Sequence, residues 1–189
     1  RILRECSSTI SREVQSVQAL VDEFSQFTRF PTTHPVPAHL NEVVENALAV
    51  FAGRLDGIEL TKDLKTGLPQ VCVDLDQFKR VVVNLVDNAA EAMQESLVKR
   101  LYIGTRASND DTVELTITDT GCGITPEDKE KLFLPYFSTK GRGTGLGLAI
   151  VNRILADHNA AIRVEDNVPS GARFTVDVPT VARPNGEII

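Results

Sequence analysis

Asn84, Asn88 and Glu91 stand at steps of four and three in the segment Asn84-Leu85-Val86-Asp87-Asn88-Ala89-Ala90-Glu91, so a helix carries all three on one face. Val82, Leu85, Ala89 and Ala92 fall on the opposite, apolar face. A polar face of this kind can serve solvation alone. Two asparagines one turn apart are a poor choice for that purpose, because Lys, Glu and Gln are better helix formers. Asn carbonyl oxygens are hard ligands suited to Mg²⁺, a cation that keeps several waters and bridges to substrate phosphates. Both readings stay open on these residues alone.

Two glycine clusters follow. In "ITDTGCGI", Asp119 ends an alternating apolar stretch and Gly121 and Gly123 come directly after it. Glycines there let the chain turn sharply and approach a flat ligand. The carboxylate can accept a hydrogen bond from an exocyclic amine such as that of adenine, or supply local bonds to its own turn. In "GTGLGLAIV", Gly143, Thr144, Gly145, Leu146 and Gly147 lead at once into an apolar helical run. A helix start carries unpaired N–H groups and partial positive charge, both of which favour an anion. Between the clusters lies "KLFLPYFSTKGRG", with Phe133, Tyr136 and Phe137 around Pro135, then Ser138, Thr139, Lys140 and Arg142. Apolar anchors followed by hydroxyl and basic residues suit a loop that closes over phosphates, or an aromatic-anchored surface loop. The glycine spacing is neither GxGxxG nor a Walker A loop, since no GK[ST] follows.

The elements that must position these groups follow from periodicity. Ile10, Val14, Val17, Val21 and Phe24 recur at steps of four and three, which predicts one long helix over 1–29 with a bundle-type stripe. Pro31, Pro35 and Pro37 end it. Beyond them we expect a helix over 39–53 closed by Gly53 and strands near 58–63 and 70–73. A long helix follows over about 74–97, opened by Asp74 or Asp76. "RLYIGTRAS" and "TVELTITDT" alternate as strands, 120–143 reads as loop, 144–158 as helix, and "AIRVED" with "ARFTVDVP" as a hairpin. Strand pairs interleaved with helices give an α/β fold, a mixed sheet with helices on one face.

Composition bounds the function classes. The 189 residues are 42% hydrophobic and 24% charged, and no apolar run approaches a membrane span. A net charge of −6 argues against duplex nucleic acid as the main partner. Cys6, Cys72 and Cys122 form no CxxC, and His34, His39 and His158 form no metal spacing, so no metal site built from protein ligands alone is expected. Beginning at Arg1 and entering mid-pattern, the sequence reads as an excised piece of a longer protein.

The order of the motifs carries more than any one of them. Asn-xxx-Asn on a helix, D-x-G-x-G after a strand, a phenylalanine loop with "STK", and G-T-G-L-G-L opening a helix occur in that sequence. Over roughly residues 35–180 the chain resembles the ATP-binding catalytic domain of sensor histidine kinases, within the superfamily that includes gyrase, Hsp90 and the mismatch-repair ATPases. The wording "PYFSTK…GTGLGLAIV" and "ADHNAAIRVEDNVPSGARF" is similar to the nitrogen-regulation subgroup.

The resemblance implies a two-layer Bergerat-type sandwich preceded by one long helix. It implies that Asn88 binds Mg²⁺, that Asn84 lies near the phosphates, and that Asp119 reads adenine with Gly121 and Gly123 supporting it. Phe133 and Phe137 correspond to the lid anchors, and Thr139 and Lys140 to the lid near the triphosphate. Gly143, Thr144, Gly145, Leu146 and Gly147 correspond to the phosphate-facing glycine box. By the same resemblance, residues 1–30 are the second helix of a dimerisation and phosphoacceptor hairpin, 31–38 a proline-rich linker, 39–180 the ATP-binding domain and 181–189 a tail. The expected reaction moves the ATP γ-phosphoryl group, with Mg²⁺, to a histidine on the dimerisation domain, for relay to a response-regulator aspartate. None of the three histidines has the setting of that acceptor. Homodimerisation through the N-terminal helix, a cognate response regulator and a cytoplasmic location complete the expectation, with any membrane anchor outside this chain. Hydrolysing relatives carry a glutamate where Asn84 stands. An ATP-hydrolysing protein of the superfamily and a non-catalytic nucleotide-binding regulator are the alternatives.

Overall fold

Val113, Leu115 and Ile117 alternate with Glu114, Thr116 and Thr118 along one strand, and the two sets meet different surroundings. The first set is fully buried in the apolar core; Glu114, Thr116 and Thr118 instead line a groove of polar and charged groups on the other face of the sheet. The fold, a computed structural model, describes Val14 and residues 32–109, 111–138 and 144–181. In chain order these form β1 (Val36–Ala38), α1 (Leu40–Leu48) with a 3-10 turn (Ala49–Phe51), β2 (Glu59–Leu64), β3 (Val71–Val73) and α2 (Leu75–Ala92). β4 (Arg100–Asn109), β5 (Thr112–Asp119), α3 (Pro126–Lys129), α4 (Gly147–Asp157), β6 (Ala161–Asp166) and β7 (Ala172–Pro179) complete them.

The main sheet has five strands in the order β2-β4-β5-β7-β6. β2 runs parallel to β4 and every other pair is antiparallel, so the sheet is mixed. Leu101, Ile103, Leu115, Ile117, Phe174 and Val176 share one core with Val44, Phe78, Val82, Leu85 and Ile150 of the helices. The helices therefore cover one face, giving the two-layer α/β sandwich that the sequence implies. Among the described residues no helix is long and apolar enough to cross a membrane.

A local cap sets the start of α2, and tertiary contacts set its end. Asp74 is its N-cap, accepting from the Gln77 N–H at 3.1 Å, and Asp76 lies within the first turn. The helix stops at Ala92 rather than near 97, because the Ala92 carbonyl turns to the Cys122 N–H at 3.2 Å and Met93 is drawn fully into the core. The C-terminal end of α4 is tied to the same N-cap. Buried His158 accepts the Asp74 N–H on Nε2 at 2.9 Å, and its Nδ1 lies 2.7 Å from the Ile154 carbonyl, which calls for the tautomer with hydrogen on Nδ1. His158 also meets the Phe78 ring edge-on, with centroids 5.8 Å apart. These contacts fix the two helices that frame the site.

Val36–Ala38, which the sequence reading leaves in the linker, pairs with β3 in a separate two-stranded sheet, and the His34 N–H donates to Asp74 Oδ2 at 3.0 Å. α1 is shorter than expected: the last turn tightens to 3-10 before Gly53 at φ +72° reverses the chain. α4 begins at Gly147 and not at Thr144. The expected helix over 1–29 lies outside the described residues except for Val14, which is exposed, and the tail from 182 lies outside them as well.

On the outer sheet face Glu114 is only 3% exposed, with Oε1 accepting from Arg106 and Oε2 from Arg163, each at 2.8 Å. Arg163 also reaches Asp177. Burial pushes the Glu114 carboxyl up, but the Arg106 hydrogen bond and charge, Thr116 and Arg163 outweigh it and hold it below the ordinary glutamate range. Glu114→Gln is expected to lower stability at neutral pH by about 1.5–3 kcal/mol, because charge-assisted bonds are lost from a buried group. A lowered folded value means that this contribution is complete above the ordinary glutamate range and fades as pH falls through the folded value. Urea unfolding of both proteins at neutral and acidic pH checks this. The difference should shrink with acid, and a pH-independent difference would contradict the ion-pair explanation.

Candidate functional site

α2, the turn after β5, the start of α4 and the inner face of β7 enclose a cavity of about 370 Å³. From α2 come Asn84, Asp87, Asn88, Glu91 and Ala92; from the end of β5 comes Asp119, and from the turn after it Cys122, Gly123 and Ile124. Asp128, Leu132, Phe137 and Ser138 form a third side, Thr144, Gly145, Gly147 and Leu148 a fourth, and Ala172 and Phe174 the floor. Motifs up to 63 positions apart in sequence, Asn84 and Gly147, thus face one space.

Asp119 is the most buried polar group of the cavity, at 2% exposure. Its Oδ1 accepts the Gly121 N–H at 2.8 Å and the Ala172 N–H at 3.3 Å. A buried carboxylate held by backbone donors is fixed in orientation, and it can accept from a ligand amine without first reorganising.

The asparagines lie against the glycine-started helix. Asn84 Nδ2 donates to the Arg80 carbonyl at 2.8 Å, which aims Oδ1 across to α4. A methyl group placed on Gly147 would stand 2.9 Å from Asn84 Oδ1 and 4.0 Å from Asn88 Nδ2. α4 has no side-chain N-cap, and the Thr144 hydroxyl accepts the Leu146 N–H at 3.3 Å just before it. Among the described residues no side chain caps the first-turn N–H groups of α4 at the point where the cavity opens, the environment that favours an anion.

Gly145 has φ +70°, and a Cβ there would lie 2.5 Å from the Tyr136 carbonyl carbon. That close approach lets the Tyr136 N–H donate to the Gly145 carbonyl at 2.9 Å, pinning the end of the phenylalanine loop to the start of α4.

Four carboxylates, Asp87, Glu91, Asp119 and Asp128, line the cavity. Burial pushes the Asp87 carboxyl up, the Arg54 guanidinium at 3.6 Å pulls it back, and the Glu91 charge pushes it up again, with a net rise. A polyanion entering such a space needs cations beside it. Among the described residues no group of three or more His, Cys, Asp or Glu side chains could hold an ion by itself. A Mg²⁺ here fits the donor set only with phosphate oxygens and water completing its shell.

The expected site residues divide as follows. Asn84, Asn88, Asp119, Gly123, Phe137, Thr144, Gly145 and Gly147 come together at the cavity. Gly121 lies behind it against Ala92, and Leu146 is fully buried in the core. Phe133 is half-buried and does not line the cavity. Thr139, Lys140, Arg142 and Gly143 lie outside the described residues. The reading missed Phe174, Ala172, Ile124, Leu132 and Asp128. The inward alternation of "ARFTVDVP" was a usable signal for Phe174, but not for which strand it would face.

Comparison with known proteins adds the following. Residues 73–182 match the family described as histidine kinase-, DNA gyrase B- and HSP90-like ATPase. The sensor histidine kinase ZraS of Salmonella typhimurium is 30% identical over 181 residues, covering 95% of this chain and 38% of that protein. The signal transduction histidine-protein kinase AtoS of Escherichia coli is 32% identical over 180 residues, covering 94% of this chain and 29% of that protein. The solved catalytic domain of histidine kinase ThkA, in a nucleotide-free form, superposes with a TM-score of 0.70 at 30% identity, covering 78% of this chain and 96% of that one. The chain thus spans well under half the length of these two curated relatives.

Proposed function

The chain belongs to the histidine kinase-, DNA gyrase B- and HSP90-like ATPase family, and from that premise we propose that it is the ATP-binding catalytic part of a sensor histidine kinase. One observation carries the reading. A single cavity joins a buried carboxylate suited to adenine, two helical asparagines suited to Mg²⁺, and a glycine-started helix N-terminus suited to phosphate.

In this reading Asp119 accepts from the adenine amine, and Phe174, Ile124 and Leu132 wall the base. Asn88 supplies a carbonyl ligand to Mg²⁺, and Asn84 stands between it and the α4 terminus. The N–H groups around Gly145 and Gly147 face the phosphates; Thr139, Lys140 and Gly143, assigned by the resemblance to the same end of the nucleotide, lie outside the described residues. Mg²⁺, when bound, neutralises charge on the phosphate oxygens. Phosphoryl transfer needs mostly positioning and charge stabilisation, so the protein has little covalent work to do. A histidine ring nitrogen attacks the γ-phosphorus, the bond to the bridging oxygen breaks, and ADP leaves. The phosphoryl group then moves to a response-regulator aspartate. The acceptor histidine belongs to a dimerisation domain of which residues 1–30 are the second helix, and the assembled protein works as a homodimer in the cytoplasm.

Transfer is favoured over hydrolysis because the position one turn before Asn88 is Asn84, whose amide is committed to the Arg80 carbonyl, and an amide cannot serve as a general base. The test is to incubate the chain and Mg²⁺ with ATP labelled on the γ-phosphate, alone and with a protein extended to include the preceding helix. Acid-labile label should appear on the extended protein and not on this chain. Release of free phosphate without protein labelling would instead favour the hydrolysing alternative.

A further inference from the structure

The β6–β7 hairpin tip, Asn167 to Gly171, belongs to none of the motifs that mark the site, yet it is built onto the residue at the site's centre. The Asn167 Nδ2 donates to the Asp119 carbonyl oxygen at 2.8 Å. The Asn167 N–H donates to the Gly171 carbonyl at 3.0 Å, which closes the tip on itself. Gly171 has φ +109°, and a Cβ there would lie 2.0 Å from the Asp119 carbonyl oxygen and 2.9 Å from the Thr120 Cα. The next residue, Ala172, gives its N–H to Asp119 Oδ1 at 3.3 Å. The hairpin therefore holds Asp119 at both ends, carbonyl and carboxylate, from 48 and 53 positions away.

We propose that Asn167 and Gly171 are positioning residues for base recognition, fixing Asp119 so that its carboxylate meets the exocyclic amine of adenine. The inference rests on the nucleotide reading of the cavity. Asn167 is half-buried and lines the groove on the outer sheet face rather than the cavity. Its effect is exerted through Asp119. Gly171 leaves room for the hairpin backbone to press on Asp119; any side chain would push the two apart and is further disfavoured by the backbone angle.

A merely structural role and a positioning role differ in one readout, the preference for ADP over IDP. IDP carries a carbonyl oxygen where adenine has its amine, so it cannot use the Asp119 contact. Titration of the unaltered chain and of Asn167→Ala, Asn167→Asp and Gly171→Ala with both nucleotides reads that preference, alongside thermal unfolding. Asn167→Ala should weaken ADP about five- to tenfold, the scale of one lost hydrogen bond, and leave IDP unchanged, so the ratio narrows. Asn167→Asp cannot donate and should narrow it at least as far. Gly171→Ala should narrow it further, and the two Asn167 variants decide the matter if that protein fails to fold. Equal losses for ADP and IDP, or an unchanged ratio in the Asn167 variants, would overturn the positioning role and leave the nucleotide reading standing. Failure of the unaltered chain to bind ADP overturns both.

Discussion

Asp119→Asn should cut adenine-nucleotide affinity by about ten- to a hundredfold while the fold survives. The carboxylate is 2% exposed and its Oδ1 takes two backbone N–H groups. An asparagine can present its carbonyl oxygen to the same two donors, so the turn after β5 keeps its internal bonds. Its amide then places a donor where the adenine amine also donates. The loss of a charge-assisted bond is worth about 1.5–3 kcal/mol, which sets the expected range. Titration with ADP and IDP, with thermal unfolding as the control, checks it. ADP should weaken strongly and IDP hardly at all, with the melting temperature nearly unmoved. Unchanged ADP affinity would remove Asp119 from the site.

Gly145→Ala should damage the other end of the cavity to a similar degree. The substitution puts an L side chain at φ +70°, which costs about 1–2 kcal/mol, and sets its Cβ 2.5 Å from the Tyr136 carbonyl carbon and 2.8 Å from the Phe137 nitrogen. Backbone rather than a flexible side chain is in the way, so the phenylalanine loop and the start of α4 must separate. The Tyr136 to Gly145 hydrogen bond is lost with that shift. ADP and ATP analogue should weaken about ten- to a hundredfold, from strain plus one lost bond. Adenosine, which relies on Asp119 and the apolar floor, should weaken by less than about threefold on the same scale. Parallel titrations with adenosine and ADP separate the outcomes. Equal losses for the two would mean that Gly145 shapes the whole cavity rather than its phosphate end.

The two variants probe parts of the site that were legible to different degrees. Asn84, Asn88, Asp119 and the glycines could be read because each chemistry is written within a few residues: a helical repeat, a strand followed by glycines, a glycine run before an apolar helix. Their convergence rests on the order of the motifs; in the structure Asn84, Asn88, Asp119, Gly123, Phe137, Thr144, Gly145 and Gly147 line one cavity, while Gly121, Leu146 and Phe133 do not. Phe133, a lid anchor by the resemblance, is half-buried and does not line the cavity. Neither the place of Phe174 at the cavity nor the contacts of Asn167 and Gly171 with Asp119 are legible in the sequence, since β5 pairs with β7 across two intervening helices and a strand, and no local pattern states which strands become neighbours. The parallel pairing of β2 with β4 has the same character. Glu114 reads as an ordinary outward-facing strand residue, but Arg106 from β4 and Arg163 from β6 bury it. The sequence offers Asp74 or Asp76 to open the long helix, of which Asp74 is the cap, and its periodicity overextends the other end. Its stop is set by Cys122 and by the burial of Met93, both tertiary contacts.

The central claim is that this cavity binds an adenine nucleotide through Asp119 and couples that binding to Mg²⁺ through Asn88. Calorimetric titration of the chain with ADP, a non-hydrolysable ATP analogue and GDP, each with and without Mg²⁺, tests it most directly. The account predicts binding of ADP and the ATP analogue that tightens with Mg²⁺ and exceeds that of GDP. Absence of binding, or equal affinity for adenine and guanine nucleotides whether or not Mg²⁺ is present, would contradict it.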